Sequence, residues 1–519
     1  MNRYPDIAFL MHIAGDLPAA TLSPTPMLDL HDVEILYLFG ASAGADFLHS
    51  WLAEKPQHAL VFLEDDLAKV AALPEELVEH PQIHLYYIHE GKWDAVLEEC
   101  AQRFPTEKIA IHLSLGADSA YFEERKLALM RASGALSALY SDVLYTHKLL
   151  PNIIANSMRL SDAFDANSWE NAFKGVPAII CGAGPSLNAA FPHLKSLQDK
   201  ALILAGGSAI TALVRAGISP HLALALDPNP EEFDRLQPLS GCEVPFLFAP
   251  RLQKDVLSLF KGPIGYLQTC TGGLVEEWLL EKLDIPRQET GPDLGREAFS
   301  VTTLAVAYAY FLGCDPIILS GVDLSFTGGR RYASGVPCDD TSASPRPAGV
   351  LDQLLIRDGR ETLLKWVMEA EALGAFAKNH PERQFFNSTT DGLEIPGISH
   401  CSLNTLKTPV DLRFSFQKMR LEAEILPLWI ELKESLERCI EQMQKTKKQE
   451  YLPLLLSDEP AYRCFIEAIA IALERILERF LSHEPNSRES VKWKETTTAA
   501  LEILRILEEF VAQSASRNA

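Results

Sequence analysis

The stretch VPAIICGAGPSLNAAFPHLKSL, residues 176–197, decides the fold class. Its first six residues are an unbroken apolar run, the pattern of a strand buried on both faces. Gly182-Ala183-Gly184-Pro185-Ser186 then turns the chain, and Leu187–Leu197 follows helical spacing. Strand, glycine turn and helix in that order open a βαβ unit. The alternation continues downstream. Ala201–Ala205 ends at Gly206-Gly207-Ser208, a helix over Ala209–Ala216 stops at Gly217, and His221–Leu226 ends at Asp227-Pro228. Further strands are expected at Val244–Phe248, Ile264–Leu267, Pro316–Ser320 and Arg383–Phe386. Gly328–Gly349 reads as a long loop, and loops of that length are usually functional or disordered.

Upstream, Val33–Phe39, His58–Leu63, Ile83–Ile88 and Lys108–Leu113 read as buried strands with helical stretches between them, one of them Gly44–Leu52. Downstream of residue 410 the strand signal ends, and Leu421, Ile425, Leu428, Leu432, Leu436, Ile440 and Met443 keep helical spacing. Asp458 and Pro460 mark a second helix start, and Ser490–Val511 is amphipathic. The expected fold class is α/β. A Rossmann-like parallel-sheet central domain over 170–408 is preceded by a smaller, degenerate Rossmann-like domain over 1–150 and followed by a helical bundle over 410–519.

A chain of 519 residues with 47 basic and 70 acidic side chains carries a formal charge of −23. Such a surface repels phosphate backbones, so nucleic acid is not an expected partner. No apolar run approaches the roughly 18–20 residues that span a bilayer. Asp6, His12 and Asp16 interrupt the amino-terminal apolar stretch, so no secretory leader is expected. The nine cysteines are scattered without a CxxC pair, which argues against a zinc ribbon or redox dithiol and for reduced thiols in the cytoplasm.

The Gly182–Ser186 turn is the first candidate site. Phosphates need clustered N–H donors and the positive end of a helix, and glycines let the backbone come close. A dinucleotide fingerprint would place glycine where Leu187 stands, and a phosphate loop of the GK[ST] type is absent. The motif alone leaves an anion site and an ordinary βα turn both open. Gly207 and Ser208, Asp227, and Gly321-Val322-Asp323 close three further strands, and in an open parallel sheet such ends share one crevice. Asp227 and Asp323 there have the chemistry to hold Mg²⁺, bond a ribose hydroxyl or act as bases, although a lone aspartate at a strand end is usually a turn or cap residue. Ser300 and Thr302, after Gly295–Phe299, either contact a nucleotide or cap the helix over Thr302–Leu312. Arg330 and Arg331 in the long loop either clamp a phosphate or carboxylate or are solvated loop charges.

Two patterns point elsewhere. Gly40-Ala41-Ser42-Ala43-Gly44 fits a hydrolase nucleophile elbow, but nothing singles out His112 or His147 as its partner. A nucleotide-fold turn fits better, with Glu64-Asp65-Asp66 placed for a ribose-binding carboxylate. His84 and His89 fall on opposite faces of a strand, so a metal pair is not expected.

Three blocks in order, VPAIICGAGPSLNAAFPHLKSL…LILAGGSAITALVRAGISPHLALALDPNP, VTTLAVAYAYFLGCDPIILSGVDLSFTGGRRYASG (301–335) and FFNSTTDGLEIPG (385–397), resemble the central domain of the motility-associated factor (Maf) glycosyltransferases. That domain is also labelled the 6-hydroxymethylpterin diphosphokinase MptE-like domain. The resemblance implies a Rossmann-like domain similar to bacterial sialyltransferases, which moves a nonulosonic acid from its CMP conjugate onto Ser or Thr hydroxyls of flagellin. It implies that Gly182, Gly184, Pro185 and Ser186 face the nucleotide phosphate, that Gly207, Ser208 and Asp227 line the nucleotide pocket, and that Asp323 and Asn387 lie near the transferred group. His400 is the candidate for a catalytic histidine after the third block. This reading needs a nucleotide-sugar and a protein acceptor and no cofactor. The archaeal branch implies instead an ATP-dependent diphosphokinase acting on 6-hydroxymethyl-7,8-dihydropterin, with Mg²⁺ on Asp227 and Asp323. A third reading is a non-catalytic module that binds a nucleotide or a partner. The length of the chain favours the glycosyltransferase branch, because a small-molecule kinase needs only the central domain.

Overall fold

The computed structural model describes residues 20–518 except 26–27, 44–45, 75, 78–79, 89–91, 115–120, 270, 292–293, 295–299, 338–348 and 481–484. Gly44, His89, Cys270, Cys338, the Gly295–Phe299 stretch, the amino-terminal apolar stretch and residues 338–348 of the loop expected over 328–349 lie outside the described residues. The chain divides into two units, one of residues 1–143, 348–352 and 469–496, the other of 144–347, 353–468 and 497–519.

The first unit carries four parallel strands, β1 (Ile35–Phe39), β2 (Ala59–Glu64), β3 (Ile83–Tyr87) and β4 (Ile109–Leu113), in the order β3-β2-β1-β4. Every residue of β1 and β2 is buried, which is why these strands are continuous apolar runs rather than alternating ones.

The second unit is built on a nine-stranded sheet. Its strands are β5 (Phe164–Asp165), β6 (Ala178–Cys181), β7 (Leu202–Gly206), β8 (Leu222–Ala225), β9 (Phe246–Phe248), β10 (Ile264–Tyr266) and β11 (Ile317–Ser320). A hairpin outside the sheet, β12 (Leu354–Arg357) and β13 (Arg360–Leu363), precedes the last two, β14 (Phe385–Asn387) and β15 (Ser399–His400). The sheet order is β15-β14-β11-β6-β7-β8-β9-β10-β5, and every pairing is parallel. The chain therefore runs outward from β6 through β10, then returns to lay β11 against the other side of β6. That reversal puts the topological switch point between β6 and β11, where open α/β sheets form their ligand crevice.

Helices α1 (Leu187–Ser196), α2 (Ser208–Arg215), α3 (Pro230–Leu236), α4 (Val301–Phe311) and α5 (Leu364–Asn379) belong to this unit. α4 is apolar nearly all round because Thr303 through Ala309 are all buried, among them Tyr308, whose hydroxyl donates to the Ala166 carbonyl. The carboxy-terminal part is helical, with Ile425–Lys445, Glu467–Phe480 and Pro485–Asn518 as its long elements. No helix among the described residues is long and apolar enough to cross a membrane.

Candidate functional site

At the switch point two glycine-bearing strand ends pass within touching distance. Gly321 sits at φ +68°, and a Cβ there would lie 2.7 Å from the Gly182 carbonyl oxygen, so only glycine permits both the conformation and the approach. Gly182 and Gly184 donate their N–H groups to Ser320 and Gly321 carbonyls at 2.9 and 2.8 Å. Leu187 and Asn188 donate to Gly184 and Pro185 within the first turn of α1.

Asp323 takes both donors of Ser186. The Ser186 N–H donates to its Oδ2 at 3.1 Å, and the Ser186 hydroxyl donates to its Oδ1. Asp323 is only 2% exposed, and burial raises its pKa while the Ser186 bonds pull it back down. A Cβ on Gly184 would overlap this carboxylate. The turn expected to cup a nucleotide phosphate is thus filled by a carboxylate of the chain itself, placed where the start of α1 favours negative charge. Asp323 is consequently an internal partner of the turn rather than a free ligand. The loop after β11 closes over the same place: Ala333 donates to the Ala183 carbonyl at 2.8 Å, and Ser334 to Asn188 Oδ1 at 3.0 Å.

A second polar group stands outside β7 and β8. Gly207 turns the chain at φ +47° into α2, which Ser208 opens. Glu232, on α3, approaches Gly207 so closely that its Oε1 would lie 3.3 Å from a Cβ there. Arg235 Nη1 lies 3.2 Å from Glu232 Oε2 and 3.8 Å from Asp227 Oδ2. Glu232 is 3% exposed, and burial together with the nearby Asp227 charge pushes its pKa up to about 7, against the pull of Arg235. Asp227 also accepts from the Asn229 N–H at 3.0 Å and its side-chain amide at 2.8 Å, an Asx turn. Glu232 and Arg235 were not legible as site residues: Pro230-Glu231-Glu232 reads as an ordinary acidic first turn of a helix.

The other expected contacts resolve differently. Ser300 is the N-cap of α4. Its hydroxyl accepts from the Thr302 and Thr303 N–H groups and donates to Glu369 Oε1 at 2.5 Å, so capping accounts for Ser300 and Thr302 without a nucleotide. Burial holds that Glu369 carboxyl up at about 7, with the Ser300 bond opposing. Arg331 lies over the rings of Tyr332 and Trp366 at 5.1 and 5.6 Å, while Arg330 is exposed. Asn387 Oδ1 accepts from the Thr389 N–H at 2.9 Å, and Thr389 Oγ1 from the Val322 N–H at 3.0 Å, which ties the third block to the β11 end. His400 pairs with Asn387 across β14 and β15 and is exposed.

Asp227 and Asp323 belong to separate hydrogen-bond networks, with both Asp323 oxygens engaged by Ser186. Among the described residues no three His, Cys, Asp or Glu side chains group as metal ligands. This donor set does not fit a Mg²⁺ ion shared by the two aspartates.

The first unit repeats the device. Glu64, at the end of β2, accepts from the N–H groups of Ala41, Asp65 and Asp66 at 2.6, 3.0 and 2.8 Å, and is 2% exposed. Burial raises its pKa, with the Ala41 and Asp66 bonds opposing. It turns into the glycine turn instead of out toward a ribose, which corrects the nucleotide reading of this stretch. Ser42 is fully buried against Thr25, so it is no exposed nucleophile either.

Comparison with known proteins agrees with this architecture. Residues 151–329 match the family model described as 6-hydroxymethylpterin diphosphokinase MptE-like. This stretch is similar to MptE-like domains. It holds the switch point, the Gly182 turn, Glu232, Arg235 and Asp323. Over 98% of its length the chain superposes on 88% of the MAf glycosyltransferase from Magnetospirillum magneticum AMB-1, with a TM-score of 0.50 and 14% identity. At that identity the likeness is one of fold. No curated protein matches the sequence.

Proposed function

We propose that the chain is a glycosyltransferase whose nucleotide-sugar donor lies in the crevice outside β7 and β8, with a protein Ser or Thr hydroxyl as acceptor. The observation that carries the reading is the Glu232–Arg235 pair on α3, set against Gly207 after β7 and Asp227 after β8, inside the stretch that matches the MptE-like model. A buried carboxyl near pH 7 beside a fixed cation is suited to accept a proton while a negative charge departs. In this scheme the acceptor oxygen attacks the anomeric carbon and the bond from that carbon to the phosphate oxygen breaks. Glu232 takes the hydroxyl proton, and Arg235 faces the departing phosphate. Gly207 and Ser208 line the nucleotide, and Asp227 keeps Arg235 oriented. The fold likeness to a MAf glycosyltransferase supports the same class.

A CMP-linked sugar, a nonulosonic acid conjugate as the expected case, suits the site better than a diphosphate or triphosphate. It brings a single phosphate charge, whereas Asp323 already fills the glycine turn with negative charge. The diphosphokinase description of the domain remains the competing reading, and the separated aspartates weigh against it. The seven described cysteines are all free thiols, which accords with a cytoplasmic enzyme.

The test is thermal stabilisation by CMP, CDP, and ATP with Mg²⁺ and a pterin, followed by release of CMP from CMP-sugars. Stabilisation by CMP without metal, abolished in Arg235→Gln, is expected. Stabilisation by ATP and pterin alone would move the chain to the kinase class, and indifference to every nucleotide would remove both.

A further inference from the structure

A cavity of about 690 Å³ lies outside the ends of β14 and β15 and is bordered by the β12–β13 hairpin, α5 and the loop 389–398. The hairpin beside it has an unused side. Asp358 and Gly359 at φ +52° and +73° form a two-residue turn that sets Arg357 directly opposite Arg360. β13 is fastened along its other edge, where the Phe326 N–H donates to the Glu361 carbonyl at 2.9 Å and the Thr362 hydroxyl to the Leu324 carbonyl at 2.7 Å. β12 pairs with β13 alone, so its outer edge has no strand partner among the described residues. Leu354 and Ile356 on that edge strand are 53% and 69% exposed.

Natural proteins usually blunt such an edge with charges or cover it. Here it is apolar, and it ends in a cation. Arg360 donates to Asp391 at 3.1 Å, whereas Arg357, at the cavity wall, makes no ion pair among the described residues. Two arginines side by side repel, and one internal carboxylate neutralises only one of them.

We propose that β12 is a docking edge for an extended peptide segment carrying a single carboxylate. The peptide adds a third strand to the hairpin through backbone hydrogen bonds, its apolar side chains cover Leu354 and Ile356, and its carboxylate pairs with Arg357 at the mouth of the cavity. One acidic residue is specified rather than several. Asp358, Glu371 and Glu394 also line the cavity, and the whole chain carries −23, so a strongly acidic peptide is repelled. The surface is suited to hold the acceptor of the proposed transferase, but binding needs neither nucleotide nor turnover, so the two readings fail separately.

The experiment is fluorescence anisotropy of a labelled Thr-Val-Glu-Val-Ser peptide titrated with the full chain in the absence of nucleotide. Saturable binding is expected, weakened at least tenfold in Arg357→Glu and restored when the peptide's Glu is replaced by Lys. A backbone N-methylated peptide should not bind, and Ile356→Asn should weaken binding without lowering Tm. Absence of saturable binding, or equal binding by wild type, Arg357→Glu and Ile356→Asn, overturns the proposal. A concentration-dependent dimer that Ile356→Asn dissolves, with no peptide binding, would assign the edge to a second copy of the chain and overturn it as well.

Discussion

Replacing Glu232 by Gln isolates the buried carboxyl of the proposed site. The carboxyl is buried, and its pKa rises from 4.5 in the unfolded chain to about 7 in the folded one. A raised carboxyl binds its proton more tightly when folded, so its contribution to stability is fully present below pH 4.5 and is lost as the pH climbs to about 7. The full difference is roughly 3 kcal/mol, and roughly 2.5 kcal/mol of it falls between pH 5 and pH 8. At about 2 °C per kcal/mol for a unit of this size, wild type should lose about 5 °C more in Tm over that interval than Glu232→Gln does. The assay is a pair of unfolding scans at pH 5 and pH 8 for each protein, because the difference of differences cancels every other titrating group. The variant should match wild type at pH 5 and exceed it at pH 8. Identical pH dependence, or a variant that loses stability faster than wild type as pH rises, would refute the claim that Glu232 is held near neutrality by burial.

Gly184→Ala pushes a methyl group into the Asp323 carboxylate and should cost about 1–3 kcal/mol in denaturant unfolding, with the loss relieved in part by Asp323→Gly in the same chain. Asp323→Asn keeps the shape but leaves an amide against the Ser186 N–H; a loss of about 1–3 kcal/mol at pH 4 is expected, shrinking at pH 8 because the raised pKa of the wild-type carboxyl costs wild type stability as the pH climbs. Glu64→Gln should destabilise the first unit by about 1–3 kcal/mol while leaving nucleotide-induced stabilisation of the protein unchanged. Ser300→Ala should cost about 1 kcal/mol, the value of an N-cap, and leave CMP stabilisation intact if capping is its whole role.

Much of the sheet was readable because buried parallel strands are unbroken apolar runs. Val33–Phe39, Val176–Cys181 and Pro316–Ser320 each enclose an observed strand within two residues at either end. The two-residue strands at Phe164–Asp165 and Ser399–His400 are too short to leave a period, and only their neighbours define them. The β12–β13 hairpin has a local signal, Asp358-Gly359 between two short runs. The glycine-bearing strand ends were legible in the sequence, but not which side chains face each other across them. Asp323 meets Ser186 across 137 positions of chain, and nothing local distinguishes a carboxylate that receives a ligand from one that replaces it. Glu232 is hidden for a related reason. Its neighbour Glu231 has the same chemistry, and only burial against the Gly207 turn sets the two apart.

The two glycine turns closed by Glu64 and Asp323 bear on how this protein meets small anions. A group fixed to the same polymer acts at an effective concentration on the order of millimolar or higher, and never diffuses away. Inorganic phosphate, sulfate or a stray nucleotide tail must therefore compete with a tethered rival, and the turns keep their shape whatever the salt around them. Selectivity among anionic guests is in this way enforced before any guest arrives.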